Sequence, residues 1–304
     1  MNADKKVCAV VVTYNRKELL VECLTALIKQ KQLNHIIVID NNSSDGTEEY
    51  LRSKKILDNP LLNYIKLKNN TGGAGGFNAG VKMAHNEGYE WIWMMDDDVE
   101  PLPNAIPTML KYSNISKCIH GGRVYENGEK FIFNNEFNIK TGGFNESVRN
   151  SFEQNRSYEK INFGCFEGMM IHRSIIENIG YPDKRFFIVG DDTIYGLLAS
   201  KHTTPIYIKD DILIKKINKD NIQSCLNLTK NRLSNFTLYY EVRNQFLKND
   251  YLVEHFSSSK FKLLRYTCLR SLKMLMSNII FDRNFNSVPI IAKGFIDGMR
   301  RKLN

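Results

Sequence analysis

Four short apolar runs, each stopping at polar or acidic residues and separated by stretches of helical period, constrain this chain more than any other feature. Val7 to Val12 is a continuous apolar, β-branched run ended by Thr13, Tyr14 and Asn15. Leu19, Leu20, Cys23, Leu24 and Leu27 then follow at the spacing of one helix face. Ile36 to Ile39 stops at Asp40 and Asn41. Asn63 to Leu67 gives way to a glycine-rich stretch, Asn69 to Gly76, with a helix predicted over Phe77 to Asn86. Trp91 to Met95 stops at three aspartates, Asp96, Asp97 and Asp98. Runs of this length are what strands buried on both faces look like, and alternation with helices implies right-handed crossovers. The pattern predicts an α/β fold with a parallel sheet whose carboxyl edge gathers Thr13, Asp40, Asn69 and Asp96. Ligands of such sheets bind outside that edge.

The regularity weakens after Pro103, and the stretch from Gly121 to Phe163, rich in Asn, Gly and aromatic residues, reads as an irregular or antiparallel excursion. Gly164 to Gly180 regains a strand and a short helix. Phe186 to Val189 then leads into Gly190, Asp191 and Asp192, a second acidic pair after an apolar run. With 304 residues the chain can form one large domain or two small ones. No apolar stretch reaches the length of a membrane span and the N-terminus has no signal-peptide pattern, so a cytoplasmic protein is expected. Six cysteines without close pairs, and six histidines without metalloprotease spacing, point to reduced structural thiols and no zinc site.

The net charge of +9 is unevenly placed: from Lys230 onward there are 14 Lys and Arg against 5 Asp and Glu. A neutral body with a basic tail suggests an anionic partner surface. In that tail Phe261, Leu264, Cys268, Leu272, Leu275 and Ile279 recur at helical spacing, with Lys262, Arg270 and Lys273 toward the other side. Such a helix, spanning 260–281, can lie on anionic lipid or pack on its own domain.

Three groups of residues suggest chemistry. Mg2+ and Mn2+ take hard oxygen ligands from one or two carboxylates plus substrate phosphates. Asp96 and Asp98 can supply them; a solvated acidic turn before Pro101 is the alternative. The glycine-rich stretch lets backbone approach a ligand and points a helix N-terminus at an anion, although it is neither a P-loop nor a dinucleotide fingerprint, and a plain tight turn also accounts for it. Asp191 or Asp192 can take a proton from an attacking hydroxyl, while one of them caps the following helix.

Six segments, VVVTYNR, VIDNNSSDGT, NNTGGAGGFNAG, WMMDDDVEP, GMMIHRS and FFIVGDD, occur in an order and at intervals that resemble the family 2 nucleotide-sugar glycosyltransferases of GT-A fold. The likeness covers about the first 220 residues. The glycine-rich segment and YYEVRN near Tyr239 are further similar to the bacterial galactofuranosyl and rhamnosyl branch. The resemblance implies a GT-A catalytic domain over 1–229, with a Rossmann-like nucleotide-binding half and a mixed central sheet, and a helical, basic region over 230–304 for acceptor or membrane association. It assigns Thr13, Tyr14, Asn15, Asp40 and Asn41 to the nucleotide pocket and Gly73, Gly75 and Gly76 to the nucleotide-sugar side. Asp97 falls near the donor sugar, Asp96 and Asp98 on Mg2+ or Mn2+, and Asp192, with Asp191 as second candidate, on the catalytic base. Related enzymes often carry a histidine a couple of dozen residues past the base, where this chain has Lys215 and Lys216; the expectation is that one of them, Lys216 being included in the nucleotide-sugar set, approaches the diphosphate.

The implied activity is inverting transfer of a sugar, galactofuranose from its UDP donor first, to a glycan or lipid-linked acceptor in cell-surface polysaccharide synthesis. Rhamnosyl or other hexosyl transfer from a dTDP or UDP donor is the alternative. A non-catalytic sugar-nucleotide or nucleic-acid binding protein is the reading from another class, and no nucleic-acid partner is expected because the tail has no such motif. The expected location is the cytoplasm, peripheral at the inner face of the plasma membrane.

Overall fold

The computed structural model describes residues 6–131, 136–145, 152, 156–216, 233–280 and 283–302. The expected domain boundary at 229/230 lies outside them. Strands β1 (Val7–Thr13), β2 (Leu33–Asp40), β3 (Leu62–Lys66) and β4 (Trp91–Asp96) alternate with helices α1 (Lys17–Ile28), α2 (Thr47–Ser53) and α3 (Gly72–Asn86). They pair in parallel, with β1 between β2 and β4 and β3 outside β2. Every residue of β1 is buried. Val7, Ala9 and Val11 join Leu20, Cys23, Leu24 and Leu27 of α1 in one core, while Cys8, Val10 and Val12 meet Phe77, Val81 and Ala84 of α3 in another. Two covered faces are the reason the strand is apolar throughout rather than alternating.

The second half of the sheet is mixed. After the short β5 (Val99–Pro101) and α4 (Ala105–Leu110) come β6 (Cys118–Tyr125), the small hairpin β7 (Phe137–Asn138) and β8 (Gly143–Phe144), then β9 (Tyr158–Lys160) and β10 (Met170–His172). Helices α5 (Arg173–Ile179) and α6 (Asp191–Ala199) precede β11 (Ile206–Lys215). The order across the main sheet is β3-β2-β1-β4-β10-β6-β11-β5, with β9 on β11. Strand β10 is inserted antiparallel between β4 and β6, so the loop before it arrives at the carboxyl end of β4. The parallel sheet read from the four apolar runs is β1–β4, β11 also runs parallel to β6, and the antiparallel β5, β9 and β10 make the whole a mixed sheet, as the GT-A resemblance implies.

The glycine-rich stretch is not a loop: α3 begins at Gly72, and the glycines form its first turns. A Cβ on Gly76 would come within 2.6 Å of Val12 Cγ1, and Gly80 is equally close to Val10. The missing side chains let α3 lie directly on β1. Phe186 to Val189, which reads as an apolar run, is no strand either: a 3-10 turn over Lys184–Phe186 leads into left-handed residues at Phe187, Val189 and Gly190.

Three helices close the chain: α7 (Asn235–Phe256), α8 (Lys260–Ile280) and α9 (Ser287–Met299). Helix α7 buries Leu247 and Leu252 with Phe137, Phe163, Phe186 and Leu197. Helix α8 packs through Leu263, Thr267 and Ser271, so the apolar stripe read from the sequence turns outward at Phe261, Leu264, Cys268 and Leu272. Among the described residues no helix is long and apolar enough to cross a membrane, and Cys8, Cys23, Cys118, Cys165 and Cys268 are free thiols.

Gly80→Ala tests the close packing. Overfilling this contact is expected to cost about 1–3 kcal/mol in urea unfolding, despite alanine's higher helix propensity; an unchanged or raised unfolding midpoint would show that the helix can move away from β1.

Candidate active site

The parallel register places the expected residues along one edge: Thr13 pairs with Asp40 across β1 and β2, and Val12 with Asp96 across β1 and β4. Here strands give way to loops, and the polar residues are mutually tied. Asp40, fully buried, accepts from the Ser43 amide at 2.7 Å and from the Tyr64 hydroxyl. Asn41 accepts from the Thr71 amide at 2.8 Å and donates to the Gly72 carbonyl at 2.7 Å, fastening the start of α3 to the edge. Asn15 takes a left-handed conformation, which Asn tolerates better than most residues, and its side chain accepts from the Ser44 amide at 2.7 Å. Tyr14 stands open at 45% exposure, beside this nest and free to meet a planar ligand.

The glycines divide. A Cβ on Gly73 would meet nothing within 4 Å, so that position faces open space, whereas Gly75 is packed on Thr71 and Gly76 on Val12. Packing accounts for those two.

The three aspartates also divide. Asp97 is buried and turned inward, accepting from Thr13 Oγ1 at 2.6 Å and from Arg16 Nη1 at 3.1 Å. Arg16 reaches Asp98 as well, at 2.9 Å. Asp96 and Asp98 instead converge with Glu167, each offering a carboxylate oxygen within 4.8 Å of the others. Burial, then the charges of Asp98, Glu167 and Asp97, push the Asp96 carboxyl well above the usual range, and Lys215 only partly opposes this. Burial pushes Asp97 up to about 6 against the pull of Arg16 and the Thr13 hydrogen bond. Hard oxygens that converge while repelling one another fit a divalent cation, since such an ion removes the repulsion.

Glu167 was not among the residues expected from sequence. It precedes Gly168, Met169 and Met170, and the Gly168 amide donates to the Met94 carbonyl at 2.9 Å, so the antiparallel insertion of β10 delivers it to the end of β4. Arg123 of β6 donates to Glu167 at 2.9 Å and Lys215 of β11 donates to its other oxygen. Burial works against ionisation of Glu167, but these two cations hold its carboxyl below the ordinary value.

The two lysines separate because neighbouring residues of a strand face opposite sides. Lys215 is buried against Glu167, within reach of Asp96. Lys216 lies on the other side, with its ammonium at 2.7 to 3.2 Å from Glu22, Glu100 and Glu126. The expectation that included Lys216 in the nucleotide-sugar set is corrected by one residue: Lys215 is the lysine in the cleft.

Asp191 and Asp192 open α6, with Gly190 in the cap position. Asp192 Oδ1 accepts from the Thr193 amide at 2.6 Å. Burial, and then Asp192, push Asp191 up to about 8. Burial likewise raises Asp192, moderated by Thr193 and by the charges of Lys248 and Arg123. Arg123 thus stabilises both Glu167 and Asp192, and the Cys165 thiol responds to both carboxylates. Arg123 therefore couples the acidic triad to the aspartate pair electrostatically.

Asp97 and Asp191 both favour the protonated form when folded, relative to the ordinary value of 3.8. Their contribution to stability is complete below that value and is lost as pH rises through about 6 and about 8. Without divalent cations the melting temperature is expected to fall between about pH 4 and about pH 8, with Asp191→Asn flattening the decline above about pH 6. Saturation with Mn2+ at about 100 times its Kd should add about 2.7 kcal/mol, lost in Glu167→Gln; a melting curve indifferent to both pH and Mn2+ would contradict this charge assignment.

Residues 8–180 match the family described as glycosyl transferase family 2. The chain is 27% identical over 203 residues to galactofuranosyltransferase GlfT1 of Mycolicibacterium smegmatis, covering 63% of this chain and 64% of that protein. It is 24% identical over 246 residues to dTDP-rhamnosyl transferase RfbF of Shigella flexneri, covering 80% of each. The match thus spans slightly under two thirds of the mycolicibacterial relative's length. Among solved structures, TarS 1-349 of S. aureus aligns with a TM-score of 0.62 at 15% identity, over 98% of this chain and 82% of that one. The mannosyltransferase PcManGT from Pyrobaculum calidifontis, in complex with GDP-Man and Mn2+, aligns with a TM-score of 0.54 at 15% identity, over 97% and 75%.

Proposed function

The chain belongs to glycosyl transferase family 2 and has the GT-A fold, and from that premise we propose that it is an inverting glycosyltransferase, transferring a sugar from a nucleotide donor to a glycan or lipid-linked acceptor in cell-surface polysaccharide synthesis. The observation that carries this reading is the convergence of Asp96, Asp98 and Glu167 at the end of β4, with Arg123, bound to Glu167, also acting on Asp192.

In this proposal the nucleotide lies along the carboxyl edge, with Tyr14 against the base and Asp40, Asn41 and Asn15 shaping the pocket floor. Gly73 offers the open side of α3 to the donor. Asp96, Asp98 and Glu167 would hold Mg2+ or Mn2+, and such an ion would supply neutralising charge to the departing nucleoside diphosphate. Arg16 and Lys215 add fixed positive charge on either side of the triad. Asp97 acts from beneath, keeping Thr13 and Arg16 in place. A carboxylate oxygen of Asp192 takes the proton of the acceptor hydroxyl as that hydroxyl's oxygen bonds to the anomeric carbon and the bond to the diphosphate breaks. Burial raises the Asp192 carboxyl above its ordinary range, which strengthens it as a proton acceptor. One displacement inverts the anomeric centre.

For the donor we favour UDP-galactofuranose, supported by the GlfT1 relatives, over dTDP-rhamnose, supported by RfbF. A panel of UDP and dTDP sugars, with Mn2+ or with EDTA, tests this directly: galactofuranose transfer or hydrolysis only with metal is expected, and no turnover or binding of any donor would overturn the enzyme reading. Asp192→Asn should lower kcat by about 10²–10⁴ while leaving donor binding intact.

The C-terminal helices fit attachment to an anionic membrane. The outward face of α8 carries Phe261, Leu264, Leu269, Leu272, Met276 and Ile280 beside Lys262, Arg265 and Lys273. Ten of the sixteen large exposed apolar side chains among the described residues lie from Phe261 onward. Apolar side chains flanked by lysine and arginine suit the interface of an anionic bilayer. The full-length protein should sediment with vesicles containing anionic lipid at low salt, and Leu269→Glu with Leu272→Glu should abolish this; recovery of the unaltered protein in the supernatant would contradict it.

A further inference from the structure

The loop that carries the aspartate pair is held in a conformation its own residues disfavour. Phe187, Val189 and Gly190 have φ of 64°, 71° and 91°. For a β-branched residue such as Val189 this is an outlier, and outliers persist where the surroundings over-determine them. The surroundings here are two neighbouring side chains of α7. Asn244 Nδ2 faces the carbonyls of Phe186, Ile188 and Val189 at 3.0, 2.7 and 2.8 Å. Arg243 Nη2 donates to the carbonyls of Arg185 and Phe186 at 2.6 and 2.9 Å.

Arg243 Nε also donates to Asn244 Oδ1 at 2.9 Å, which turns the amide nitrogen toward the loop. Both side chains are fully buried. A buried guanidinium ordinarily needs a carboxylate; this one is spent on carbonyl oxygens and on the Tyr240 ring, 4.6 Å from its centre. A pure packing role would be filled at lower cost by apolar side chains.

One helical turn further, Lys248 is buried against Gly190, where a Cβ would meet Lys248 Cδ at 3.1 Å. Its charge is felt by Asp192. The other groups acting on the pair are Thr193 on α6, Arg123 on β6, the Cys165 thiol, and Asp183 beside Asp191; Glu241 and Arg270 act on Lys248 itself.

We propose that α7 is part of the catalytic apparatus: Arg243 and Asn244 are positioning residues that fix the Phe186 to Gly190 loop, and Lys248 sets the charge balance of the Asp191–Asp192 pair. This rests on the reading of Asp192 as the base. The C-terminal region then serves the chemistry as well as acceptor or membrane contact. The loop's own contacts explain why the position matters, because the Ala74 amide donates to the Phe187 carbonyl at 3.0 Å, so the same strained residues also abut the start of α3 at the donor side.

The test uses the full chain with Asn244→Ala, Lys248→Met, Lys248→Arg and, as a control, Asp192→Asn. Binding of UDP with Mn2+ is measured by titration, and transfer is measured against pH. Asn244→Ala is expected to lower kcat about 10²-fold with UDP affinity unchanged. Lys248→Met should move the acidic limb of the pH profile upward by about one pH unit, and Lys248→Arg should restore it. Parallel loss of UDP binding and transfer, or normal transfer with an unmoved limb, would overturn the inference. Should Asn244→Ala fail to fold, the two Lys248 variants decide alone. Full transfer by Asp192→Asn would instead refute the base assignment, a different failure.

Discussion

Electrostatic repulsion at the carboxyl edge of the sheet is the constraint around which this protein is arranged. Asp96, Asp98 and Glu167 bring three carboxylates within 4.8 Å of one another in a largely buried place. Like charges so close cannot all ionise without compensation. Arg16, just before α1, Arg123 of β6 and Lys215 of β11 supply part of it, so distant segments of the chain are drawn to one point. The part left over is what a divalent cation and a diphosphate would use, in the proposed reaction, as binding energy.

Division of labour among adjacent residues recurs. Asp97 turns inward to Thr13 while its two neighbours face the cleft. Lys215 enters the cleft while Lys216 is bound by three glutamates on the other side. Burial raises Asp191 to about 8, while the charges of Lys248 and Arg123 oppose the rise of Asp192. In each case the change of direction from one residue to the next, along a strand, in the turn after β4 or in a first helical turn, gives neighbours different environments, and hence different chemistry.

That alternation also marks how far the sequence could be read. The ends of β1, β2 and β4 were legible because strands covered on both faces are apolar until they reach the edge, so Thr13, Asp40 and Asp96 stood out. Glu167 was not, since a single glutamate before a three-residue strand has no periodic signature and only the antiparallel insertion of β10 brings it to the site. The phase of β11 decides between Lys215 and Lys216, and nothing local fixes that phase. The glycines of α3 looked like a loop because close helix–strand packing and loop flexibility call for the same residue. The conformation of Phe186 to Val189 was not legible in its apolar run, because the side chains that hold it lie on α7, more than fifty residues away.

The central claim is that the acidic triad and Asp192 work from opposite sides of one anomeric carbon in a single displacement. Nuclear magnetic resonance of the transferred sugar, read at its anomeric proton and carbon and compared with the donor, tests this most directly. The account predicts a product of inverted configuration. A product that retains the donor's configuration would contradict it.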